Sequence, residues 1–206
     1  MSDINQVVRS LNSVGFKHNM SEYCIFLILV CLVLSGCSIP RIVFLSDPLT
    51  AQEHNDLGVS YELMGEAELA LKEYELAAGM DRNWDQPLIN HGNVHAGLEN
   101  WNRAESSYLE ALKRNPDNPE AMNNLAYVLL KQEKHKDALV WSHKAVEARP
   151  ENPAFLNTHG WALLKTGSPD KAKEVFLKAA DNCPEETSLR KRITQGLNEI
   201  EAAGVI

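Results

Sequence analysis

From residue 51 onward, apolar residues recur at intervals of three and four, and short polar turns interrupt them at regular distances. Between residues 119 and 150, Met122, Leu125, Ala126 and Leu129 fall on one helical stripe; Ala138, Leu139, Trp141 and Ala145 fall on the next. This pattern predicts two amphipathic helices joined by a tight turn. The pair recurs. Blocks starting at Asp85, Pro119 and Pro153 are 34 residues apart, and a fourth copy begins one period earlier at Ala51.

Aligned by block, the eighth position reads Gly58, Gly92, Ala126 and Gly160. The twentieth reads Ala70, Ala104, Ala138 and Ala172, and the twenty-seventh Ala77, Ala111, Ala145 and Ala179. Gly and Ala make up roughly 15% of ordinary composition, so small residues in all of these slots by chance has a likelihood of about 10⁻¹⁰. Helices joined by a short turn approach closely only where side chains are small, and these positions supply that. Gly65 and Gly167 mark the turn inside the first and fourth blocks. Pro116, Pro150 and Pro184, lacking an N–H, are expected to stop the second helix of their blocks; Arg82 stands at that place in the first.

The pattern resembles the tetratricopeptide repeat family over about two-thirds of the chain. Leu57, Gly58 and Tyr61 occupy family positions seven, eight and eleven, and Tyr74, Tyr108 and Phe176 the aromatic position twenty-four, which Ser142 breaks in the third copy. The family's usual Trp at position four is replaced by His54, Leu88, Met122 and Leu156. The resemblance implies an all-α fold: a right-handed solenoid of four helix-turn-helix repeats with a concave inner face. The repeats are expected at 51–84, 85–118, 119–152 and 153–186. Residues 187–206 follow as a capping helix and tail, with Leu189, Ile193, Leu197 and Ile200 on its apolar stripe.

The N-terminal quarter reads differently. Cys24–Leu34 is an apolar run of eleven residues, too short to span a bilayer as a helix of ~20 residues but of the length of a secretory signal core. Leu34-Ser35-Gly36-Cys37 follows it and resembles the bacterial lipobox. That resemblance implies cleavage of residues 1–36, a diacylglycerol on the Cys37 thiol and an acyl group on its amine. Two or more chains, at about 0.8 kcal/mol per buried CH₂, anchor stably. Met20 offers a second start to the chain. Residues 37–50 are then a lipidated tether containing Pro40 and Pro48. Ser38 after the modified cysteine implies, in a Gram-negative cell, sorting to the outer membrane. Of four cysteines, Cys183 alone stays free after processing, so no intramolecular disulfide is expected in the mature chain.

The formal net charge of −8 argues against nucleic acid as a partner. Arg190, Lys191 and Arg192 form the one basic cluster and read as a solvated face. His91 and His95 stand at i and i+4, the spacing of zinc ligands in His-Glu-x-x-His enzymes, but Gly92 replaces the glutamate. Both fall at repeat positions where other copies carry Leu57, Tyr61, Leu125 and Leu129, so they read as packing residues, with a metal-dependent enzyme as the weaker alternative. No cofactor, metal or small-molecule substrate is implied, and the chain is expected not to be an enzyme.

In the resembled family, positions five, six and nine of each first helix face the concave side. Here that places Asn55, Val59, Asn90, Asn93, Asn123, Asn124, Tyr127, Asn157 and Trp161 there, as a peptide-binding face of amides with two aromatic anchors. The Lys and Arg of the family's carboxylate clamp are missing. Lipobox-plus-repeat architectures of this kind assist pilus assembly or act as adaptors for envelope hydrolases. The expectation is a lipid-anchored scaffold binding protein or peptide partners of the bacterial cell envelope.

Overall fold

The computed structural model describes residues 47–202 and 204. The expected signal, Cys37 and most of the tether lie outside the described residues. Among the described residues the structure is helical, with four hairpins and a final helix. They are α1 (Ala51–Leu63) with α2 (Ala67–Met80), α3 (Gln86–Gly97) with α4 (Trp101–Arg114), α5 (Pro119–Lys131) with α6 (His135–Ala148), and α7 (Pro153–Lys165) with α8 (Pro169–Asp181). The last is α9 (Ser188–Ala202). No described helix is long and apolar enough to cross a membrane.

Local chemistry sets the boundaries. Thr50 and Glu53 form a reciprocal capping box at the start of α1. Asn118 Oδ1 accepts the N–H groups of Glu120 and Ala121 at 2.9 and 3.1 Å, and Asn152 caps α7 in the same way. Pro119 and Pro153 occupy the first helical position, where a missing N–H costs nothing. The hairpin turns need one residue in the left-handed region. Gly65 and Gly167 supply it at φ of 80° and 82°, but Glu99 and Glu133 adopt it at 58° and 60°.

The second helices of the last three hairpins end shortly before Pro116, Pro150 and Pro184, and the first repeat reaches the same end without a proline. α2 stops at Met80, the place in its block where α4 and α6 stop, with Arg82 instead of proline. A side chain from the next repeat serves there: Arg114 Nη1 donates to the carbonyls of Ala78, Asp81 and Trp84 at 3.1, 3.0 and 2.9 Å. Orphan carbonyls at a helix end are thereby satisfied from outside the helix.

Each helix packs on its chain neighbours, and the first helices of successive hairpins also touch: α1 on α3, α3 on α5, α5 on α7, and α7 on α9. The core is therefore distributed along the stack, one layer of side chains per interface. All eight alanines at positions twenty and twenty-seven are fully buried. At position eight the glycines lie against the position-twenty-four rings: a Cβ on Gly58, Gly92 or Gly160 would sit 2.5–2.6 Å from Tyr74, Tyr108 or Phe176. In the third repeat both partners change together, to Ala126 and Ser142. Phe176 is gripped on a second side by Gly196 of α9, whose Cβ would stand 2.5 Å from it. Ile193 and Ile200 are buried and Leu189 and Leu197 pack beside them, so α9 covers the end of the stack as expected.

Candidate functional site

Tyr127 on α5 and Trp161 on α7 occupy position nine of successive repeats, so stacking sets them side by side. Both are half-buried, and they line one cavity of about 360 Å³. Each ring is braced edge-on by another aromatic: Tyr127 by Trp101 at 6.4 Å between centroids, and Trp161 by Phe176 at 5.6 Å. Leu130 adds apolar wall, and α9 closes one side with Arg192, Gln195 and Glu199. Lys131 Nζ and Lys165 Nζ each lie 5.5 Å from the centroid of the aromatic on their own helix.

Asn157 lines the same cavity and is 5% exposed, with no hydrogen-bond partner for its buried Oδ1. A buried acceptor left unpaired costs about 1–3 kcal/mol, and this one lies beside the two braced aromatics.

Most of the other predicted amides are arranged differently from a set free to grip a peptide. Asn90 Nδ2 donates to Asn55 Oδ1 at 2.9 Å, across the first and second repeats. Asn124 Nδ2 donates to Asn93 Oδ1 at 3.0 Å, across the second and third, and the Tyr108 hydroxyl donates to the same oxygen at 2.8 Å. Asn55 is itself buried. These four amides connect one repeat to the next. Asn123 donates to its neighbour Asn124 at 3.3 Å, and its buried Oδ1 lacks a partner. Val59 is 39% exposed on α1, away from the cavity. Of the nine predicted positions, the cavity gathers Tyr127, Asn157 and Trp161.

The histidines sit in packing contacts. His91 and His95 meet edge to face with centroids 4.6 Å apart. His91 Nδ1 lies 2.8 Å from the Ser107 hydroxyl, which donates to the Arg103 carbonyl, and His91 Nε2 lies 3.4 Å from Glu75 Oε1. Burial lowers the pKa of His91 against the pull of Glu75; burial and then the neighbouring His91 lower that of His95. His159 pairs with Ser142 at 3.0 Å and stacks on His143, and burial pushes its pKa down to about 4. No group of three or more potential metal ligands occurs among the described residues.

The basic cluster on α9 divides: Lys191 and Arg192 are exposed, as on a solvated face, and Arg190 is not. Arg190 reaches back to the carbonyls of Ala180 and Cys183 and closes the end of α8, while Arg192, two residues on, lines the cavity. Charge counting along the sequence cannot separate them, because their tasks are set by which side of α9 each occupies. Gln195 and Glu199 escaped sequence reasoning for the same reason.

Tetratricopeptide-repeat family models match residues 89–153 and 153–186, the second to fourth hairpins. Solved structures of similar form include MamA (residues 41 to end) from Desulfovibrio magneticus RS-1, at 24% identity and TM-score 0.61, covering 74% of this chain and 93% of that one. YrrB, described as a TPR protein with an unusual peptide-binding site, matches at 22% identity and TM-score 0.59 over 73% of this chain and 84% of its own. PilF of Pseudomonas aeruginosa matches at 22% identity and TM-score 0.62 over 77% and 74%. At these identities the likeness shows the fold alone. No curated protein matches the chain by sequence.

Proposed function

We propose that this chain, whose residues 89–186 carry tetratricopeptide repeats, is a non-enzymatic scaffold anchored by lipid at Cys37 in the bacterial cell envelope. The observation that carries the scaffold part is the cavity that brings Tyr127, Trp161 and the unpartnered Asn157 together. Two braced aromatics offer contact area at little entropic cost, and a buried amide offers a main-chain hydrogen bond; together they suit a segment of protein held in extended form. The peptide-binding site of YrrB, a similar fold, is in keeping with such a role. The Leu34-Ser35-Gly36-Cys37 sequence supports the anchor, and Ser38 supports the outer membrane as its location. Assembly of a pilus or secretion system is the role proposed for this combination, with an adaptor for envelope hydrolases as the alternative.

The test has two halves. Cells fed a labelled fatty acid should label the wild-type chain and not Cys37→Ala; an unlabelled wild type removes the anchor. Cross-linking in membranes should capture partners through the cavity; capture undiminished in a folded Tyr127→Ala/Trp161→Ala variant removes the groove.

A further inference from the structure

The cavity between α5, α7 and α9 carries more positive charge than a chain of net charge −8 leads one to expect. Lys131, Lys165 and Arg192 come one from each helix, against a single carboxylate, Glu199. Glu199 is already engaged, its Oε1 2.6 Å from Lys165 Nζ. Among the described residues no carboxylate pairs with Lys131 or Arg192. These two cations stand on opposite walls, since α5 and α9 do not touch and α7 packs against both. Between them lie the two aromatic rings and the buried, unpartnered oxygen of Asn157.

We propose that the cavity takes an extended acidic segment of a partner protein, in which two carboxylate side chains flank one apolar residue. The apolar side chain sits between Tyr127 and Trp161, the carboxylates face Lys131 and Arg192, and a main-chain N–H donates to Asn157 Oδ1. Charge-assisted hydrogen bonds to two separated cations set the spacing, and the rings set the apolar residue between them. A single C-terminal carboxylate places its charge at one point and leaves one wall unmatched. This identification of the partner's chemistry rests on the scaffold reading above.

The experiment is an array of random dodecapeptides, each in C-terminally amidated and free-acid form, probed with the full-length chain in detergent. Bound peptides should be enriched in an acidic–apolar–acidic pattern. The best of them should lose about tenfold or more in affinity on Glu-to-Gln exchange, in Lys131→Gln/Arg192→Gln, and in high salt. Both substitutions are at exposed positions, so unchanged melting of the variant keeps the comparison clean. Neutral or basic winners, a requirement for a free C-terminal carboxylate, or full affinity in the double variant overturns the acidic class. If such winners still lose binding in Tyr127→Ala, the groove stands and only its charge preference falls. An array with no binders at all removes both.

Discussion

Gly92 and Tyr108 stand so close that a Cβ built on the glycine would lie 2.5 Å from the tyrosine Cε1. The ring has nowhere to go: it is 1% exposed, and its hydroxyl is held by Asn93. Alanine gains about 1 kcal/mol over glycine in helix propensity, while overpacking costs about 1–3 kcal/mol. Because the ring is fixed, overpacking takes the upper part of that range, and Gly92→Ala should lower stability by up to about 2 kcal/mol. In a Tyr108→Ser background, which copies the Ala126/Ser142 pair of the third repeat, the same substitution should stabilise instead. Denaturant melts of the four proteins should give a coupling of about 2 kcal/mol; additive effects would mean the ring does not define the glycine.

Arg114 is expected to hold the first hairpin onto the second. Arg114→Ala leaves three carbonyls without their charged donor, at a cost of about 2 kcal/mol. In a stack of nearest neighbours the loss should stay local. Amide exchange should quicken in α1 and α2 while α5 to α8 keep their protection.

The turns offer a gain. Glu133 adopts φ of 60° in an exposed turn, a conformation that glycine takes without penalty. Glu133→Gly should raise stability by about 0.5–1 kcal/mol, net of the added freedom of the unfolded chain. The thermal midpoint should rise by roughly 2–3 °C. A fall would show that the glutamate side chain has a partner.

Stability should fall in mild acid. His91, His95 and His159 all have pKa values lowered by burial, that of His159 to about 4. The unfolded chain binds protons near pH 6.5 that the folded chain refuses, so this stability is complete above that pH and declines as pH falls towards 4. His159 alone should contribute about 1–3 kcal/mol to the decline. Leucine is the natural residue at this position in the first and third repeats. Melts of His159→Leu across this range should therefore show a shallower slope than wild type.

Tyr127→Ala should weaken partner capture with little effect on folding, because the ring is half-buried and borders the cavity. Trp161→Ala should do the same at a larger cost in stability, having lost its contact with Phe176. Capture from membranes, paired with circular dichroism of each variant, checks both; a folded double variant that captures as wild type would place the contact elsewhere.

Much of the fold was legible because it is written locally. The three- and four-residue spacing gives each helix, the alanines at positions twenty and twenty-seven give the close hairpins, and the apolar stripe on residues 189–200 gives the cap. The ring partners of the glycines came from the structure, where the small residues of position eight make room for the position-twenty-four ring. How α2 ends with Arg82 in place of a proline was not legible, because the side chain that serves there, Arg114, lies 32 residues further on.

By itself the sequence determined a repeating stack of helical hairpins and named three of the side chains at its cavity, Tyr127, Asn157 and Trp161, since those depend on period alone. Only the tertiary structure decided which polar groups are free. The partners of Asn55, Asn93 and Ser142 lie 35, 31 and 17 residues away, so stacking alone joins them. The same stacking leaves Asn157 unpaired and brings Arg192 from the cap to face Tyr127 and Trp161. A period fixes what each residue is next to along its own helix; the docking of one helix on another fixes what it meets.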